Sequence, residues 1–281
     1  MSGCLYVVAT PIGNMGDMTE RSQMVLEDVD EWIVEDSRRS AKLRDQLGLP
    51  KKPMNRYYDE NETRQTPELL EKLKRGLDMA LMSDAGTPVI ADPGYELVRR
   101  AREENLEVRP VPGVSAPIAA LSVSGFPAHE FLFIGYFPRT NEKRRDKLLE
   151  IQHFEGTVIF FEAPHRIEET LKAIRTYLGD RKLFLGREMT KQYEQYRTGS
   201  ADEMLDGLDQ ETGKGEFTVL VHPGEGEDVD PEAYLEDLLR KGMKLSDAAR
   251  VASKYAEKTR SELYKVGLDV QDRLEDDDDA G

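Results

Sequence analysis

The sequence predicts an α/β fold with two domains, followed by a small unit of three helices. Three observations predict this fold class. Short apolar runs typical of buried strands alternate with stretches of helical periodicity, which is the pattern of a largely parallel sheet with crossover helices. Most predicted strands end in loops of small or polar residues. The chain has 281 residues, enough for two hydrophobic cores, because single cores stop growing near this size.

Composition is typical of a soluble globular protein, with 38% hydrophobic and 33% charged residues. No apolar run approaches the roughly 20 residues that a membrane helix needs. Met1–Gly3 lead directly into a strand-like run, so we expect no signal peptide and a cytoplasmic location. Cys4 is the single cysteine, which excludes an internal disulfide and a multi-cysteine zinc site.

Charge is distributed unevenly along the chain, whose formal net charge is −16. Basic islands stand at Arg38-Arg39 and Arg139–Lys147, whereas Glu225–Glu236 and Glu275–Asp279 are acidic blocks. We interpret the acidic blocks as linker and tail. The net charge argues against a polyanionic partner, but the basic islands are compatible with a nucleic-acid-binding face.

The N-terminal domain is predicted to comprise residues 1–124. Its predicted strands are Leu5–Thr10, Trp32–Val34, Met79–Met82 and Glu107–Val111. Its predicted helices are Thr19–Val29, Ser40–Leu47, one that starts at Thr66-Pro67, Tyr95–Glu104 and Pro117–Ser124. Thr66 suits a helix cap and proline suits a first turn, and we interpret Lys51–Glu62 as a loop.

A second α/β domain is predicted for residues 125–223. Its predicted strands are Phe131–Phe137, Thr157–Phe161, Lys182–Gly186 and Phe217–Val221, and its helices Asn141–Ile151, Arg166–Leu178 and Ala201–Leu208. An acidic linker at 224–230 leads to a helical unit at 231–274, and an acidic tail occupies 275–281. Thr259 and Glu262 predict a capping box for the last helix.

Four loops follow predicted strands of the first domain: TPIGN at 10–14, EDSRR at 35–39, SDAGTP at 83–88 and PGVSA at 112–116. In a parallel sheet they share the carboxyl edge, where open α/β sheets bind ligands. The central stretch is Ala80–Gly94, a buried strand that breaks at Ser83-Asp84 into small polar residues. We expect it to grip a polar small molecule; the alternative is a tight connection that caps the next helix.

Common cofactor motifs are absent or incomplete. No Gly-x-Gly-x-x-Gly follows the first strand, so a dinucleotide-binding Rossmann domain is not indicated. Gly207–Lys214 superficially resembles a P-loop, but it has one residue too many and Gly215 stands where Ser or Thr belongs. The 4 histidines lack metal-ligand spacing, so we predict no metal site.

Glu162, His165 and Arg166 form a polar cluster after a predicted strand of the second domain. His165 and Glu162 are our candidates for a general base, with Arg166 and Arg38 orienting a phosphate group. The alternatives are a backbone-bonded helix residue for His165 and a plain Glu162–Arg166 ion pair that shapes the site without chemistry.

The run RTNEKRRDK at 139–147 places Lys143 and Lys147 on one face of a helix, with Arg144 beside them. A solvated helix face is the commoner meaning of such a run, but we interpret it as a contact with RNA phosphates. The expected RNA-binding residues are Arg38, Arg39, Arg139, Lys143, Arg144 and Arg145. Tyr57-Tyr58 suit either base stacking or core packing, and the C-terminal helices suit a helix-turn-helix, packing or dimer contact.

As a set, the loops resemble those of the tetrapyrrole-methylase-like enzymes that use S-adenosylmethionine (SAM). Within them, the resemblance is to the group that methylates a cytidine 2′-hydroxyl of small-subunit ribosomal RNA. The segments are ATPIGNMGDMT (9–19), VEDSRRS (34–40), LMSDAGTPVIADPGYELV (81–98), PGVSA (112–116), FPR (137–139), FFEAPHR (160–166), GREMTK (186–191) and KGEFTVLV (214–221). They lie in the family's order.

The resemblance implies a two-domain tetrapyrrole-methylase-like fold with a parallel-rich N-terminal sheet and a mixed C-terminal sheet. It implies SAM bound between the domains, a homodimer, and methylation of 16S rRNA in its decoding region, within the 30S subunit. It further implies cofactor contacts at Pro11, Asp84, Ala85, Gly86, Thr87, Ser115, Ala116, Phe161 and Gly215.

The chain departs from the family's pattern at four positions: Ser37, Arg39, Glu60 and Ala163 stand where Thr, His, His and Ser are common. Two alternative functions stay open. One is methylation of a tetrapyrrole carbon, against which the TPIGN loop and the basic helix argue. The other is a ribosome-binding protein that holds SAM without catalysis.

Overall fold

The computed structural model describes residues 2–208, 215–224, 230–256 and 258–279, with side chains up to residue 273. The chain forms two compact units. The first comprises Met1–Gly125, Leu185–Arg197 and Gly215–Thr218, and the second comprises Phe126–Phe184, Thr198–Lys214 and Val219–Gly281. The acidic linker and the P-loop-like stretch of the sequence lie largely outside the described residues, whereas residues 275–279 of the predicted acidic tail belong to the last helix, which ends at Asp279. Within the described ranges, no helix is long and apolar enough to cross a membrane.

The first sheet has five strands: β1 (Cys4–Val8), β2 (Glu31–Val34), β3 (Met54–Arg56), β4 (Met79–Met82) and β5 (Glu107–Val111). Their order is β3-β2-β4-β1-β5, and every neighbouring pair is parallel. Val8 is in register with Met82 and Val111, and Met82 with Val34. These strands therefore end at the same level, and the four predicted loops share one carboxyl edge.

Five helices cover the faces of this sheet: α1 (Glu20–Asp28), α2 (Ser37–Leu47), α3 (Glu62–Lys74), α4 (Tyr95–Glu103) and α5 (Ala116–Ser124). Alternate residues of β4 point to opposite faces. Met79 and Leu81 belong to the core cluster that contains Leu70 of α3, and Ala80 belongs to the cluster that contains Leu26 of α1. Because both faces are buried, the strand is continuously apolar.

Three predicted boundaries in this unit are corrected by the structure. Helix α2 begins at Ser37 because the Asp36 carboxylate caps it, accepting a hydrogen bond from the Arg38 N–H at 2.9 Å. Helix α3 begins at Glu62, so Pro67 lies inside it instead of opening it. The predicted loop before α3 contains the short edge strand β3.

The second sheet is mixed, with the strand order β6-β7-β10-β8-β9. Its strands are β6 (Phe131–Tyr136), β7 (Thr157–Glu162), β8 (Leu183–Arg187), β9 (Gln195–Gly199) and β10 (Phe217–Val221). The accompanying helices are α6 (Asn141–Glu150), α7 (Ile167–Leu178) and α8 (Ala201–Asp206). Strands β6 and β7 are parallel. Strand β9 was not predicted, because its exposed, polar sequence has no apolar alternation.

Three further helices follow, as predicted: α9 (Pro231–Arg240), α10 (Leu245–Ala252) and α11 (Arg260–Asp279). They share one core cluster with Leu149 of α6, and the Tyr234 hydroxyl donates to the Leu149 carbonyl at 2.5 Å. The predicted capping box is confirmed. The Thr259 N–H donates to the Glu262 carboxylate at 2.8 Å, and the Glu262 N–H donates to the Thr259 hydroxyl at 3.3 Å.

Asn61 provides a test of how the β3–α3 turn is held. Its buried amide donates to the Arg56 carbonyl and accepts from the Tyr58 N–H, both at 2.9 Å. Because Asn61→Ala leaves two backbone groups without these partners, it should lower the free energy of unfolding by about 1–3 kcal/mol. Urea denaturation measures this, with Asp59→Ala, at an exposed neighbouring position, as control. Equal stability of both variants would contradict this account of the turn.

Candidate functional site

A short backbone bridge joins the loops that follow β1 and β4. The Thr10 N–H donates to the Gly86 carbonyl at 2.8 Å, and the Gly86 N–H donates to the Thr10 carbonyl at 3.0 Å. The Thr10 hydroxyl also donates to the Ser83 carbonyl at 3.2 Å. Gly86 has a φ of +83°, which favours glycine over residues with a Cβ. The loops after β1 and β4 are therefore held together by hydrogen bonds.

The loop after β5 packs against these two loops. The Thr87 hydroxyl donates to the Val114 carbonyl at 2.9 Å. A Cβ added to Gly113 would lie 2.9 Å from the Ala9 Cβ, so glycine allows the loops after β5 and β1 to approach closely. Ser115 occupies the N-cap position of α5, but its hydroxyl makes no capping hydrogen bond. It is half-buried, as is Ala116 beside it.

Asp84 connects the loop after β2 to this assembly. Its carboxylate accepts a hydrogen bond from the Asp36 N–H at 3.2 Å and lies 3.3 Å from the Arg39 guanidinium. Burial raises the pKa of Asp84, against the lowering effect of the Asp36 N–H and Arg39. All four predicted loops thus meet at the carboxyl edge, and Ala85 is exposed there.

A small cavity of about 170 Å³ opens at this edge. Pro11 and Asp84 line it, together with the basic residues Arg39 and Lys42. Because pockets for small molecules usually span about 300–1,000 Å³, this cavity accommodates only part of a ligand. Two predicted ligand contacts, Pro11 and Asp84, therefore lie together.

Two further carboxylates at this edge were missed from the sequence. Burial, followed by the nearby Glu35 carboxylate, raises the pKa of Asp92 to about 7, while a hydrogen bond from Ser83 lowers it. Burial and Asp84 likewise raise the pKa of Glu35. Glu35 is the first residue of the loop at 35–39, and Asp92 lies shortly after the loop at 83–88. This position near strand ends is the sequence signal that could have identified them. Partly buried carboxylates favour a cationic ligand.

The loop that carries Asp92 is conformationally strained. Val89 and Ala91 have φ values of 74° and 63°, in the left-handed region that residues with a Cβ rarely adopt. Such conformations persist where the surrounding structure enforces them, and they cluster at functional sites. In the part of the chain that is described, no group of His, Cys, Asp or Glu side chains is placed to hold a metal ion.

The segment Leu185–Arg197 of the first unit also reaches the first loop. A Cβ added to Gly13 would lie 2.3 Å from the Lys191 side chain, so a larger residue here would displace Lys191. Gly215, a predicted cofactor contact, has a φ of +105°, and an added Cβ would lie 2.7 Å from the Glu188 carboxylate. Glu188 and Lys191 are therefore neighbours of the predicted site that the sequence did not single out.

In the second unit, Glu162 and Arg166 form a buried ion pair. Glu162 is 0% exposed, its carboxylate lies 3.1 Å from the Arg166 Nε, and it accepts a hydrogen bond from the Thr170 hydroxyl at 2.6 Å. Arg166 also donates to the Phe137 and Pro138 carbonyls. This geometry favours the ion-pair alternative, in which the two residues shape the end of β7.

His165 differs from its neighbours in exposure. It lies on the surface, and its ring makes no hydrogen bond or ion pair within the described residues. It is therefore accessible to a substrate. Phe161, half-buried at the end of β7, packs against the rings of Phe133 and Tyr136, with centroids 5.2 Å and 5.4 Å away.

The expected RNA-binding residues differ in accessibility. Arg38 and Arg39 keep 89% and 70% of their side-chain surface exposed, although they pair with Asp36 and Asp84. Arg139 and Lys143 are exposed, and Arg145 is half-buried beside Asp146. Arg144 requires a correction. Its side chain is only 3% exposed and binds Glu169 and Asn141, so burial removes it from the basic surface.

Comparison with known proteins identifies the family. The family model for tetrapyrrole (corrin/porphyrin) methylases matches residues 4–205. The chain belongs to this methyltransferase family. Two relatives, both called ribosomal RNA small subunit methyltransferase I, come from Synechocystis sp. and Vibrio cholerae serotype O1. The first is 41% identical over 276 residues, covering 96% of this chain and 99% of the relative. The second is 41% identical over 272 residues, covering 94% of both.

Solved structures confirm the fold of this family member. Uroporphyrin-III C-methyltransferase from Thermus thermophilus, solved in complex with S-adenosylhomocysteine, superimposes with a TM-score of 0.54. The match covers 80% of this chain and 98% of that chain at 17% identity. The predicted α/β class, with a parallel N-terminal sheet and a mixed C-terminal sheet, is therefore confirmed, as is the resemblance inferred from the loops.

The raised pKa of Asp92 predicts that this residue affects the stability of the folded protein in a pH-dependent way. Between pH 4 and about 7, the buried carboxyl stays protonated in the folded protein while it ionises in the unfolded chain, so its contribution to stability falls as pH rises. Asp92→Asn should therefore stabilise the protein at pH 8 by about 1–2 kcal/mol, allowing for solvent screening. Near pH 4 it should have little effect.

Urea denaturation at the two pH values measures this difference, and the exposed Asp59→Asn serves as the control. A variant less stable than the wild type at pH 8 would contradict the burial of an ionisable group at this edge.

Proposed function

We propose that this protein transfers a methyl group from SAM to the ribose 2′-hydroxyl of a cytidine in the decoding region of 16S rRNA. The observation that carries the proposal is the convergence of four loops on one sheet edge, locked together by Thr10, Asp84 and Thr87. Relatives that are 41% identical over almost the whole chain are named as small-subunit rRNA methyltransferases.

The residues at this edge fit a cationic methyl donor. SAM carries positive charge on its sulfonium and ammonium groups, and the carboxylates of Glu35, Asp84 and Asp92 lie at the edge. When bound, SAM supplies a methyl group that leaves with cleavage of its carbon–sulfur bond. A fold neighbour crystallised with the demethylated product of this donor, which supports the assignment.

The protein has to align the hydroxyl with the methyl group and to accept one proton. Alignment alone contributes about 7–11 kcal/mol in favourable intramolecular reactions. A ribose hydroxyl is a weak acid, so a base assists the attack. We assign that role to His165, which is exposed and without a polar partner in the described residues. Glu162 and Arg166 position the loop that carries it, through their buried ion pair.

The substrate side of the proposal rests on exposed basic residues. Arg38 and Arg39 lie at the same sheet edge as the loops, and Arg139, Lys143 and Arg145 provide positive charge in the second unit. We propose the cytoplasmic 30S subunit as the partner and a homodimer as the active form. The exposed apolar residues Phe131, Leu132 and Tyr136 on β6 support a protein contact.

Methyl transfer from labelled SAM to purified 30S subunits, 16S rRNA and a porphyrinoid tests the proposal. The product nucleoside is then identified by mass spectrometry. We expect 2′-O-methylcytidine from an RNA substrate and no transfer to the porphyrinoid. Transfer to the porphyrinoid alone would establish the tetrapyrrole alternative, which the family description supports. Donor binding without transfer to any acceptor would indicate the non-catalytic alternative.

His165→Ala tests the assignment of the base. We expect the rate constant for methyl transfer to fall about 100-fold, because general-base catalysis typically contributes 10²–10⁴-fold. Donor affinity, measured by calorimetry, should not change, and added imidazole should restore part of the rate. His129→Ala, at another exposed histidine, is the matched control. Full activity of the His165 variant would remove this residue from the chemistry.

A further inference from the structure

A polar groove lies at the end of the first sheet, where β3 meets α3. It encloses about 360 Å³, and its lining includes Arg56, Tyr58, Arg64, Gln65 and Glu68. Tyr57 and Tyr58, which sequence alone left undecided between stacking and packing, have different environments. Tyr57 is 1% exposed and its hydroxyl hydrogen-bonds with Thr66, whereas Tyr58 faces the groove.

The side chains of this groove have the chemistry of a nucleotide site. The Arg56 guanidinium lies 5.2 Å from the centroid of the Tyr58 ring, so a cation and an aromatic face are stacked at its wall. Arg56 and Arg64 are exposed and form no ion pair within the described residues, although the chain carries a net charge of −16. The Gln65 amide, half-buried and without a hydrogen-bond partner there, offers a donor and an acceptor.

The backbone at one wall of the groove is held by hydrogen bonds within the protein. The backbone of Arg56–Tyr58 is held on one side by the buried Asn61 amide, at 2.9 Å from each of two backbone groups. On the other side, the Tyr57 N–H donates to the Val34 carbonyl of β2 at 2.8 Å. A backbone held in place beneath Tyr58 reduces the conformational entropy lost when a ligand binds.

A direct contact connects the groove to the loop of the proposed donor site. The Glu62 carboxylate, in the first turn of α3, accepts a hydrogen bond from the Gly94 N–H at 2.6 Å. Gly94 ends the stretch that begins at Ser83-Asp84. The groove and the donor loops therefore share one sheet edge, separated by the width of strand β2 in the order β3-β2-β4.

We propose that this groove binds an unpaired nucleotide of the RNA substrate, next to the nucleotide that is methylated. This inference rests on the proposed function. Tyr58 and Arg56 stack on the base, Arg64 contacts a phosphate, and Gln65 hydrogen-bonds the edge of the base. A base must leave its helix to stack on a side chain, so the groove selects single-stranded RNA over duplex.

Fluorescence anisotropy with a labelled single-stranded RNA of about 12 nucleotides tests the proposal. Arg56→Gln and Arg64→Gln should each weaken binding about 5- to 10-fold, and Arg64→Gln, which removes the phosphate contact, should also reduce the slope of log affinity against log salt by about 0.7. Tyr58→Leu should weaken binding about 10-fold, whereas Tyr58→Phe should retain it, because stacking needs the ring and not the hydroxyl. A duplex of equal length should bind more weakly than the single strand.

Two matched variants sharpen the test. Arg75→Gln removes an exposed arginine at the other end of α3 and should leave RNA affinity unchanged. Glu68→Gln removes the one carboxylate among the groove residues and should strengthen RNA binding, because it relieves repulsion of phosphate. Thermal melting and donor binding of every variant establish that the fold is intact.

The inference is overturned if Arg56→Gln and Arg64→Gln behave like Arg75→Gln, or if Tyr58→Leu matches Tyr58→Phe. It is also overturned if the variants lose affinity for 30S subunits alone, since the groove would then contact a ribosomal protein. If the protein methylates RNA but the groove variants bind RNA as tightly as the wild type, the role of the groove is contradicted and the proposed function is not. If the groove variants lose RNA affinity but the wild-type protein transfers no methyl group, the proposed function is contradicted and the role of the groove is not.

Discussion

The pair of backbone hydrogen bonds between Thr10 and Gly86, at 2.8 Å and 3.0 Å, is the constraint on which the candidate site depends. Parallel strands leave their carboxyl ends without regular partners, so loops beyond them need other contacts to hold a fixed position. This bridge closes the ends of β1 and β4, and the Asp84 carboxylate and Thr87 hydroxyl then attach the loops after β2 and β5. The left-handed backbone at Gly86 makes glycine the residue that suits this position.

Acidic and basic side chains both lie along this sheet edge, where Asp84 pairs with Arg39. The carboxylates of Asp84 and Asp92 lie in the loop after β4, and burial raises the pKa of both. Arg56, on β3, lies two strands away from β4 in the sheet order, and Arg64, on α3, lines the same groove as Arg56 and Tyr58. Arg56 and Arg64 form no ion pair within the described residues, and the order β3-β2-β4 places strand β2 between Arg56 and the carboxylates of the loop after β4.

Much of this fold follows from local pattern, because strands buried on both faces are continuously apolar and helices show their capping residues. The exceptions depend on tertiary contacts. Strand β3 has only Met54–Arg56 and lies at an edge, so its sequence lacks an apolar signal. The loops of the site were located from glycine, proline and polar residues at strand ends. The raised pKa of Asp92 and the burial of Arg144 were not predicted, since burial depends on neighbours distant in sequence.

Hydrogen–deuterium exchange with and without S-adenosylhomocysteine tests the central claim most directly, because it reports which backbone amides the ligand protects. We expect the largest decrease in exchange rate on ligand binding in the four strand-end loops: 10–14, 35–39, 83–88 and 112–116. The peptide at the opposite end of α3, around Arg75, should be unaffected. Protection confined to other segments, or no protection at saturating ligand, would contradict the assignment of this edge as the donor site.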